Sequence, residues 1–129
     1  LHNHITTATR ETALSRFKAL KAGENFHDLS PELKTTYSNA ERTQNTIYMR
    51  LKYDEPSGTV VNVRKSMWIH PELDRAISIR EAARLQTFPD SFIFEGTKDS
   101  QYQQVGNAVP PFLAKAVAES IISILNQVQ

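Results

Sequence analysis

The sequence predicts a small α+β domain that combines several helices with one β-hairpin. Residues 9–21 and 111–127 each repeat apolar side chains at helical spacing, which predicts two amphipathic helices. Residues 46–53 alternate apolar and polar side chains, and residues 59–63 are rich in β-branched side chains, which predicts two strands. At 129 residues the chain is long enough for one modest hydrophobic core.

The first helix is predicted over residues 9–21. Leu14 and Phe17 fall on its apolar face, and Gly23 follows as a C-terminal cap. Residues 24–45 are polar and show no periodicity, so we expect loops and short turns there.

The hairpin is predicted from the alternation that follows. The apolar side chains at positions 47, 49, 51 and 53 would face the core, and the intervening side chains would face solvent. Residues 54–58 contain Pro56 and Gly58 and would form the turn. Trp68, the single tryptophan, is expected to anchor the core.

Two segments near the C-terminus carry helix boundary signals. Ser78 and Glu81 predict a capping box, in which the Ser78 hydroxyl accepts from the Glu81 backbone N–H and the Glu81 carboxylate reaches back. The helix that they open is expected to end at Pro89. Further on, Gly106 and Asn107 predict a turn into the last helix, which two consecutive prolines would begin.

The last predicted helix carries an unusually wide apolar stripe. Leu113, Val117, Ile121 and Ile124 define the stripe, and neighbouring apolar residues widen it. Such a stripe needs a partner surface. Within the chain, the first helix and the hairpin are the candidates.

Composition excludes several classes of protein. The absence of cysteine excludes disulfides, thiolate metal sites and a cysteine nucleophile from these residues. The four histidines lack metal-ligand spacing, so no metal site is expected. No apolar run approaches the roughly 20 residues of a membrane helix, and we expect no membrane association. The opening Leu-His-Asn-His has neither Met nor a signal peptide pattern, which suggests the boundary of a fragment.

Positive charge is concentrated in the first part of the chain. Residues 1–70 carry ten Lys or Arg against seven Asp or Glu, whereas residues 71–129 carry five against seven. A positive excess favours contact with nucleic acid phosphates. The candidate side chains for phosphate or base-edge contact are Arg42, Arg50, Lys52, Arg64 and Lys65, with Ser57 and Asn62 as neutral donors.

Two strings identify a family resemblance. RAISIREAARLQTFPD at residues 75–90 and QYQQVGNAVPP at residues 101–111 resemble motifs IX and X of the DNA (cytosine-5)-methyltransferases. Parts of residues 50–71 are similar to the target-recognition region of that family. The resemblance implies that residues 1–74 are a target-recognition region and that residues 75–129 hold the two motifs and the C-terminal helix. That helix would pack on a Rossmann-like methyltransferase catalytic domain supplied by the remainder of the enzyme.

The resemblance also implies an activity. Such enzymes transfer a methyl group from S-adenosylmethionine to C5 of cytosine in a specific duplex DNA sequence, after base flipping and attack of a cysteine thiolate at C6. The Pro-Cys motif that supplies the thiolate is absent, as is the glycine-rich cofactor loop. We therefore expect no catalytic residue in this chain, no activity from the chain alone, and a parent enzyme of bacterial restriction-modification in the cytoplasm.

Site residues follow from the same resemblance. Asn107, Ala108 and Val109 would complete the S-adenosylmethionine pocket. Thr59 would support the DNA backbone beside the extruded base. The segment that orients the recognition region would use Arg75, Ser78, Arg80, Glu81 and Arg84 for structure rather than chemistry.

Three alternatives stay open at the level of sequence. The chain could be a non-catalytic module that binds DNA or docks on a protein. It could also belong to an RNA cytosine-5 methyltransferase, because motifs IX and X do not report the sugar. A third alternative is a split enzyme whose cysteine lies on a second subunit.

Overall fold

The computed structural model describes all residues from 1 to 129. It contains six α-helices and two short 3-10 turns, at Phe26–Asp28 and Ala40–Arg42. The helices are α1 (Glu11–Ala19), α2 (Pro31–Lys34), α3 (Val63–Ser66), α4 (Ile79–Leu85), α5 (Lys98–Asn107) and α6 (Pro111–Val128). The β component of the predicted α+β class is reduced to two isolated bridges.

Two hydrophobic clusters hold the fold together. The larger one joins α4 and α5 around Trp68, which is fully buried and donates from Nε1 to the Thr46 carbonyl at 3.0 Å. The smaller one packs Phe17 of α1 against other aromatic rings and against Ile69. Trp68 and Ile69 are adjacent in sequence and face different clusters, so the segment that carries them separates the two. The core role of Trp68 is confirmed, and so is the existence of α1. The bounds of α1 are corrected: it is two residues shorter at each end than predicted, and Leu20 rather than Gly23 caps it.

The first strand of the predicted hairpin is absent because the backbone turns within it. Tyr48 has φ +53°, which lies in the left-handed region and interrupts an extended strand. What remains is a parallel bridge between Arg50 and Ile69 and an antiparallel bridge between Ile69 and Ala76. The predicted facing also fails, because Tyr48 and Arg50 are buried whereas Tyr53 is 67% exposed.

The second predicted strand is replaced by the entry to α3. Residues 59–62 have no regular structure, and Val63 begins the helix. The Asn62 side chain accepts a hydrogen bond from the Lys65 backbone N–H at 3.2 Å, which caps α3 at its N-terminus. Local capping therefore overrides the β-branched composition of this stretch.

Helix α4 begins as the sequence predicts. The Glu81 backbone N–H donates to Ser78 Oγ at 3.1 Å, and the Ser78 N–H donates to Glu81 Oε2 at 2.7 Å, so the capping box is confirmed. Its end is corrected: α4 stops at Leu85, four residues before Pro89. Thr87 turns the chain there with φ +63°.

Helix α5 was not predicted. Its polar sequence has weak periodicity, but Thr97 caps it by accepting from the Ser100 backbone N–H at 3.2 Å. Gly106 and Asn107 are its last two residues, so the turn expected at these positions begins only at Ala108.

The N-terminal residues are bound to the last third of the chain. Asn3 donates from Nδ2 to the Phe94 carbonyl and to Gln101 Oε1, both at 2.8 Å, and its Oδ1 accepts from the Phe94 N–H at 3.0 Å. His4 lies 2.9 Å from Ser78 Oγ. The two regions divided at residue 74 therefore share direct contacts, and the division stays a sequence-based prediction.

Helix α6 begins at Pro111, as predicted, and none of its residues is buried. Val117 and Ile121 are each 52% exposed, and Phe112 is 73% exposed. Neither α1 nor the segment of the expected hairpin covers the apolar stripe.

Residues 98–128 include one helical stretch long and apolar enough to cross a membrane. An 18-residue window there has a mean hydropathy of 1.5 and is 0% buried. The expectation that no segment reaches this composition is corrected. A single helix of this kind is weak support for a membrane span, because an uncovered docking helix has the same length and composition.

Candidate DNA and cofactor interface

An ion pair fixes the start of α4. Arg75 donates from its two terminal nitrogens to the two carboxylate oxygens of Glu81, at 2.8 and 2.7 Å. The same carboxylate accepts from the Ser78 N–H. Burial opposes ionisation of Glu81, but the Arg75 and Ser78 hydrogen bonds outweigh it and lower the pKa of this carboxyl to about 2. Arg75, Ser78 and Glu81 thus form one hydrogen-bonded network at the N-terminus of α4.

Arg80 and Arg84 lie one turn apart on α4 and differ completely in surroundings. Arg80 is fully buried and donates to the carbonyls of His2, at 3.0 Å, and Pro89, at 3.1 Å. It also donates to Asn3 Oδ1 and to the Phe92 carbonyl. Arg84 is exposed and forms a bidentate pair with Asp90 at 2.8 and 2.6 Å.

Arg50 is enclosed by backbone carbonyls. It is 5% exposed, and its Nε donates to the Leu20 carbonyl at 2.7 Å. The terminal nitrogens donate to the Phe17 carbonyl at 2.6 Å, to the His70 carbonyl at 2.9 Å and to Asp74 Oδ1 at 2.6 Å. No donor of this guanidinium faces solvent, so we remove Arg50 from the DNA-facing set and assign it to the scaffold.

The remaining basic candidates are exposed. Arg42 ends the 3-10 turn Ala40–Arg42, away from the clefts that the other three line. Arg64 and Lys65 on α3 line a cleft of about 420 Å³ with Asn62, Asp99 and Gln103, and Arg64 contacts the Asp99 carboxylate. Lys52 lies elsewhere, in a cleft of about 270 Å³ with Ser57, and pairs with Glu55 at 2.7 Å. Thr59 is exposed and lies on the chain between the two clefts. The structure therefore brings Arg64 and Lys65 together, and separately Lys52 and Ser57.

The corner between α5 and α6 holds the cofactor candidates. Asn107 and Val109 are exposed, and neither the Asn107 side chain nor the Val109 N–H has a hydrogen-bond partner within the chain. Both are free to donate to a carboxylate. The start of α6 offers less than the sequence predicted: Pro110 and Pro111 have no N–H, and the Phe112 N–H donates to Thr87 Oγ1 at 3.1 Å. The corner fits an anionic group through one amide and one backbone donor.

Gln86 joins the two motifs, and sequence reasoning missed it. Its side-chain Nε2 donates to the Val105 carbonyl at 3.0 Å and to the Ala108 carbonyl at 3.1 Å. Gln86 is 6% exposed and Val105 is fully buried, so the amide satisfies an acceptor in the interior at the end of α5. An amide side chain directly after the last residue of α4 was the only local signal.

Known proteins are similar in sequence to this chain over most of its length. The profile of the family described as C-5 cytosine-specific DNA methylase matches residues 2–123. The chain belongs to the C-5 cytosine-specific DNA methylase family. Type II methyltransferase M1.HphI of Haemophilus parahaemolyticus is 36% identical over 122 residues, which cover 95% of this chain and 31% of that protein. Type II methyltransferase M.AgeI of Thalassovita gelatinovora is 51% identical over 77 residues, 57% of this chain and 18% of that protein.

In one relative the match covers a much larger share of the protein's length. Type II methyltransferase M.AquIB of Picosynechococcus sp. is 39% identical over 132 residues, which cover 94% of this chain and 87% of that protein. The chain thus spans less than a third of M1.HphI but most of M.AquIB.

A solved structure shares the fold. The crystal structure of an E. coli protein described as a DNA modification methyltransferase encoded within a prophage superposes with a TM-score of 0.71 at 28% identity. The match covers 96% of this chain and 29% of that chain. The arrangement of helices and loops described above is therefore part of a methyltransferase fold.

Proposed function

We propose that the whole protein transfers a methyl group from S-adenosylmethionine to C5 of cytosine in a specific duplex DNA sequence. The observation that carries this proposal is the match of the C-5 cytosine-specific DNA methylase profile to residues 2–123. Because the chain has no cysteine, the thiolate that attacks the base must come from protein outside these 129 residues. By this proposal the chain alone transfers no methyl group.

The chain contributes the surface that holds the DNA. Arg64, Lys65 and Lys52 supply exposed cations for phosphates, and Ser57 and Thr59 supply hydroxyl groups beside them. The pairing of Arg64 with Asp99 and of Lys52 with Glu55 keeps both cations at the surface in the free protein. Exchange of these carboxylates for phosphate would accompany DNA binding.

The chain also closes one end of the cofactor site. Asn107 and Val109 present free donors at the corner after α5, and Ala108 lies between them with its carbonyl held by Gln86. S-adenosylmethionine, when bound, supplies the methyl group and carries a carboxylate at its amino-acid end. In this proposal Asn107 and Val109 donate to that carboxylate, and Gln86 keeps the corner from moving.

The apolar face of α6 supports a partner within the same enzyme. All of its large apolar side chains are exposed, and helices in proteins gain most of their stability by packing such a face. We assign this face to the methyltransferase catalytic domain that carries the thiolate. The near-equal length of M.AquIB supports a version in which that domain is a second polypeptide. In either version we place the enzyme in the bacterial cytoplasm, with no part of it in a membrane.

Methyl transfer by the intact enzyme tests the proposal. Unmethylated plasmid DNA and a tRNA transcript would each be incubated with tritiated S-adenosylmethionine, and the nucleosides would be separated by chromatography. We expect label in 5-methyldeoxycytidine from the plasmid and none in the RNA. Bisulfite sequencing of the product would then give the target sequence.

Other outcomes distinguish the alternatives. Label on adenine or on the cytosine amino group would reject C5 transfer. Label only in the tRNA would favour an RNA methyltransferase, and DNA binding with no label in any nucleoside would favour a non-catalytic module.

A further inference from the structure

Gly106 allows two backbone segments to touch. A Cβ placed on this residue would lie 2.8 Å from the Val61 carbonyl oxygen, 2.9 Å from the Val61 carbonyl carbon and 3.3 Å from the Asn62 nitrogen. Carbon atoms do not approach backbone atoms so closely, so any side chain here forces the two segments apart. The contacted atoms are backbone, which no rotamer change can move away.

The two segments carry different parts of the proposed site. Gly106 directly precedes Asn107, the cofactor candidate. Val61 lies two residues after Thr59 and three before Arg64, both proposed to contact DNA. The contact at Gly106 therefore directly connects the segment assigned to the methyl donor with the segment assigned to the DNA.

The contacted segment is anchored on both sides. Val60 and Val63 are 5% and 2% exposed within the larger hydrophobic cluster, whereas the Val61 side chain between them is 45% exposed. A displacement of the Val61 backbone must therefore be taken up by its immediate neighbours rather than by the whole loop. Thr59 and Asn62 would change position while the core stays packed.

We propose that Gly106 is a positioning residue, which sets the distance between the DNA-holding segment at residues 59–65 and the cofactor corner at residues 107–109. This inference rests on the proposed function. The methyl carbon and C5 of the cytosine must meet within a few tenths of an ångström of their reactive geometry. A misplacement of about 1 Å lowers such a transfer by about a hundredfold.

Gly106→Ala in the intact enzyme tests the role. We expect kcat for methyl transfer to fall by about ten- to a hundredfold. The affinity for S-adenosylmethionine, measured by calorimetry without DNA, should change less than about twofold, because residues 107–109 keep their side chains and donors. With 2-aminopurine at the target position of the mapped site, the fluorescence rise that reports base flipping should be smaller than in the parent.

Gly58→Ala is the matched control. A Cβ at Gly58 would meet nothing within 4 Å, and its φ is not positive, so the same chemical change lacks the clash. We expect parental kcat and melting temperature. Val61→Gly changes the residue that Gly106 contacts. It adds no clash, but it makes the backbone of the contacted segment more flexible. We expect a weaker fluorescence rise for this variant too.

The outcomes separate the inference from the proposed function. An intact parent enzyme that labels no cytosine would reject the function itself. An active parent with Gly106→Ala equal to Gly58→Ala in kcat and fluorescence would overturn the positioning role. Failure of Gly106→Ala to fold, together with a parental Val61→Gly enzyme, would also overturn it, because the contact would then serve folding alone.

Discussion

Helix α4 finds its packing partners within this chain, whereas helix α6 does not. Helix α4 has seven residues, four of them buried. Its N-terminus is closed by the capping box, and its C-terminus by the backbone N–H groups of Gln86 and Thr87, which donate to the Ala82 and Arg84 carbonyls. Helix α6 has eighteen residues and buries none. The short helix is complete within the chain, whereas the long helix exposes most of the apolar surface of the C-terminal region. The comparison shows that α4 is packed within the chain, and it supports our proposal that α6 docks on another domain.

The largest effect is expected inside the packed part of the chain. Arg80→Met should destabilise the chain by at least about 3 kcal/mol, because it leaves buried carbonyls of several loops without donors. Arg84→Met, one turn later, should have little effect because that side chain is exposed. Urea denaturation followed by Trp68 fluorescence measures both. Similar midpoints for the two variants would contradict the assignment of Arg80 to the scaffold.

Helix α6 should respond in assembly rather than in folding. Ile121→Lys is expected to weaken association with the catalytic domain by at least about tenfold, because it places a charge in a desolvated contact. Asn126→Lys introduces the same charge on the polar face of α6 and serves as the control. Association would be measured by co-purification and by methyl transfer. Equal losses in the two variants would argue against docking through the apolar face.

Protonation of Glu81 should lower the stability of the packed part of the chain at acid pH. The pKa of this carboxyl is lowered from 4.5 to about 2, so its stabilisation is complete above pH 4.5 and is lost as the pH falls toward 2. Because the group is partly solvated, we expect Glu81→Gln to lower stability at pH 7 by only about 1 kcal/mol. The difference from the parent should shrink at low pH. Glu119→Gln on α6 is the control, and a constant difference across the pH range would contradict the ion-pair account.

The smallest effect is expected at the corner between the packed part of the chain and α6. Asn107→Ala should weaken S-adenosylmethionine binding to the intact enzyme by about three- to tenfold through the loss of one hydrogen bond, with DNA affinity unchanged. Asn107→Asp keeps the shape and replaces the donor with a negative charge, so it should weaken binding further. Calorimetry would measure both. Equal cofactor affinity in the parent and the alanine variant would reject the contact.

The sequence predicted those parts of the fold that depend on local signals. The Ser78 and Glu81 cap, the Pro111 start of α6 and the apolar face of α1 are each specified within a few neighbouring residues. The strand at residues 46–53 failed because period-2 alternation does not reveal a left-handed residue such as Tyr48. Helix α5 was missed because its burial depends on α3 and α4, which lie elsewhere in the sequence.

The sequence predicted the family of the protein more completely than it predicted the residues of the candidate site. Residue type alone placed Arg50 with the other basic candidates, whereas its burial depends on the carbonyls of Phe17, Leu20 and His70, which lie far from it along the chain. The contacts of Gln86 and Gly106 are likewise tertiary, and no spacing rule reports them. The positions of Thr59 and Asn107 were predicted from the resemblance, and their roles stay predictions.

The hydrogen bonds of Asn3 have a consequence for the order in which the molecule is built. Its partners Phe94 and Gln101 are 91 and 98 residues away along the chain. Asn3 is synthesised long before Phe94 and Gln101, so its side chain lacks these partners until synthesis has passed Gln101. Closing so long a loop is slow, and the hydrogen bonds of Asn3 therefore form late in folding.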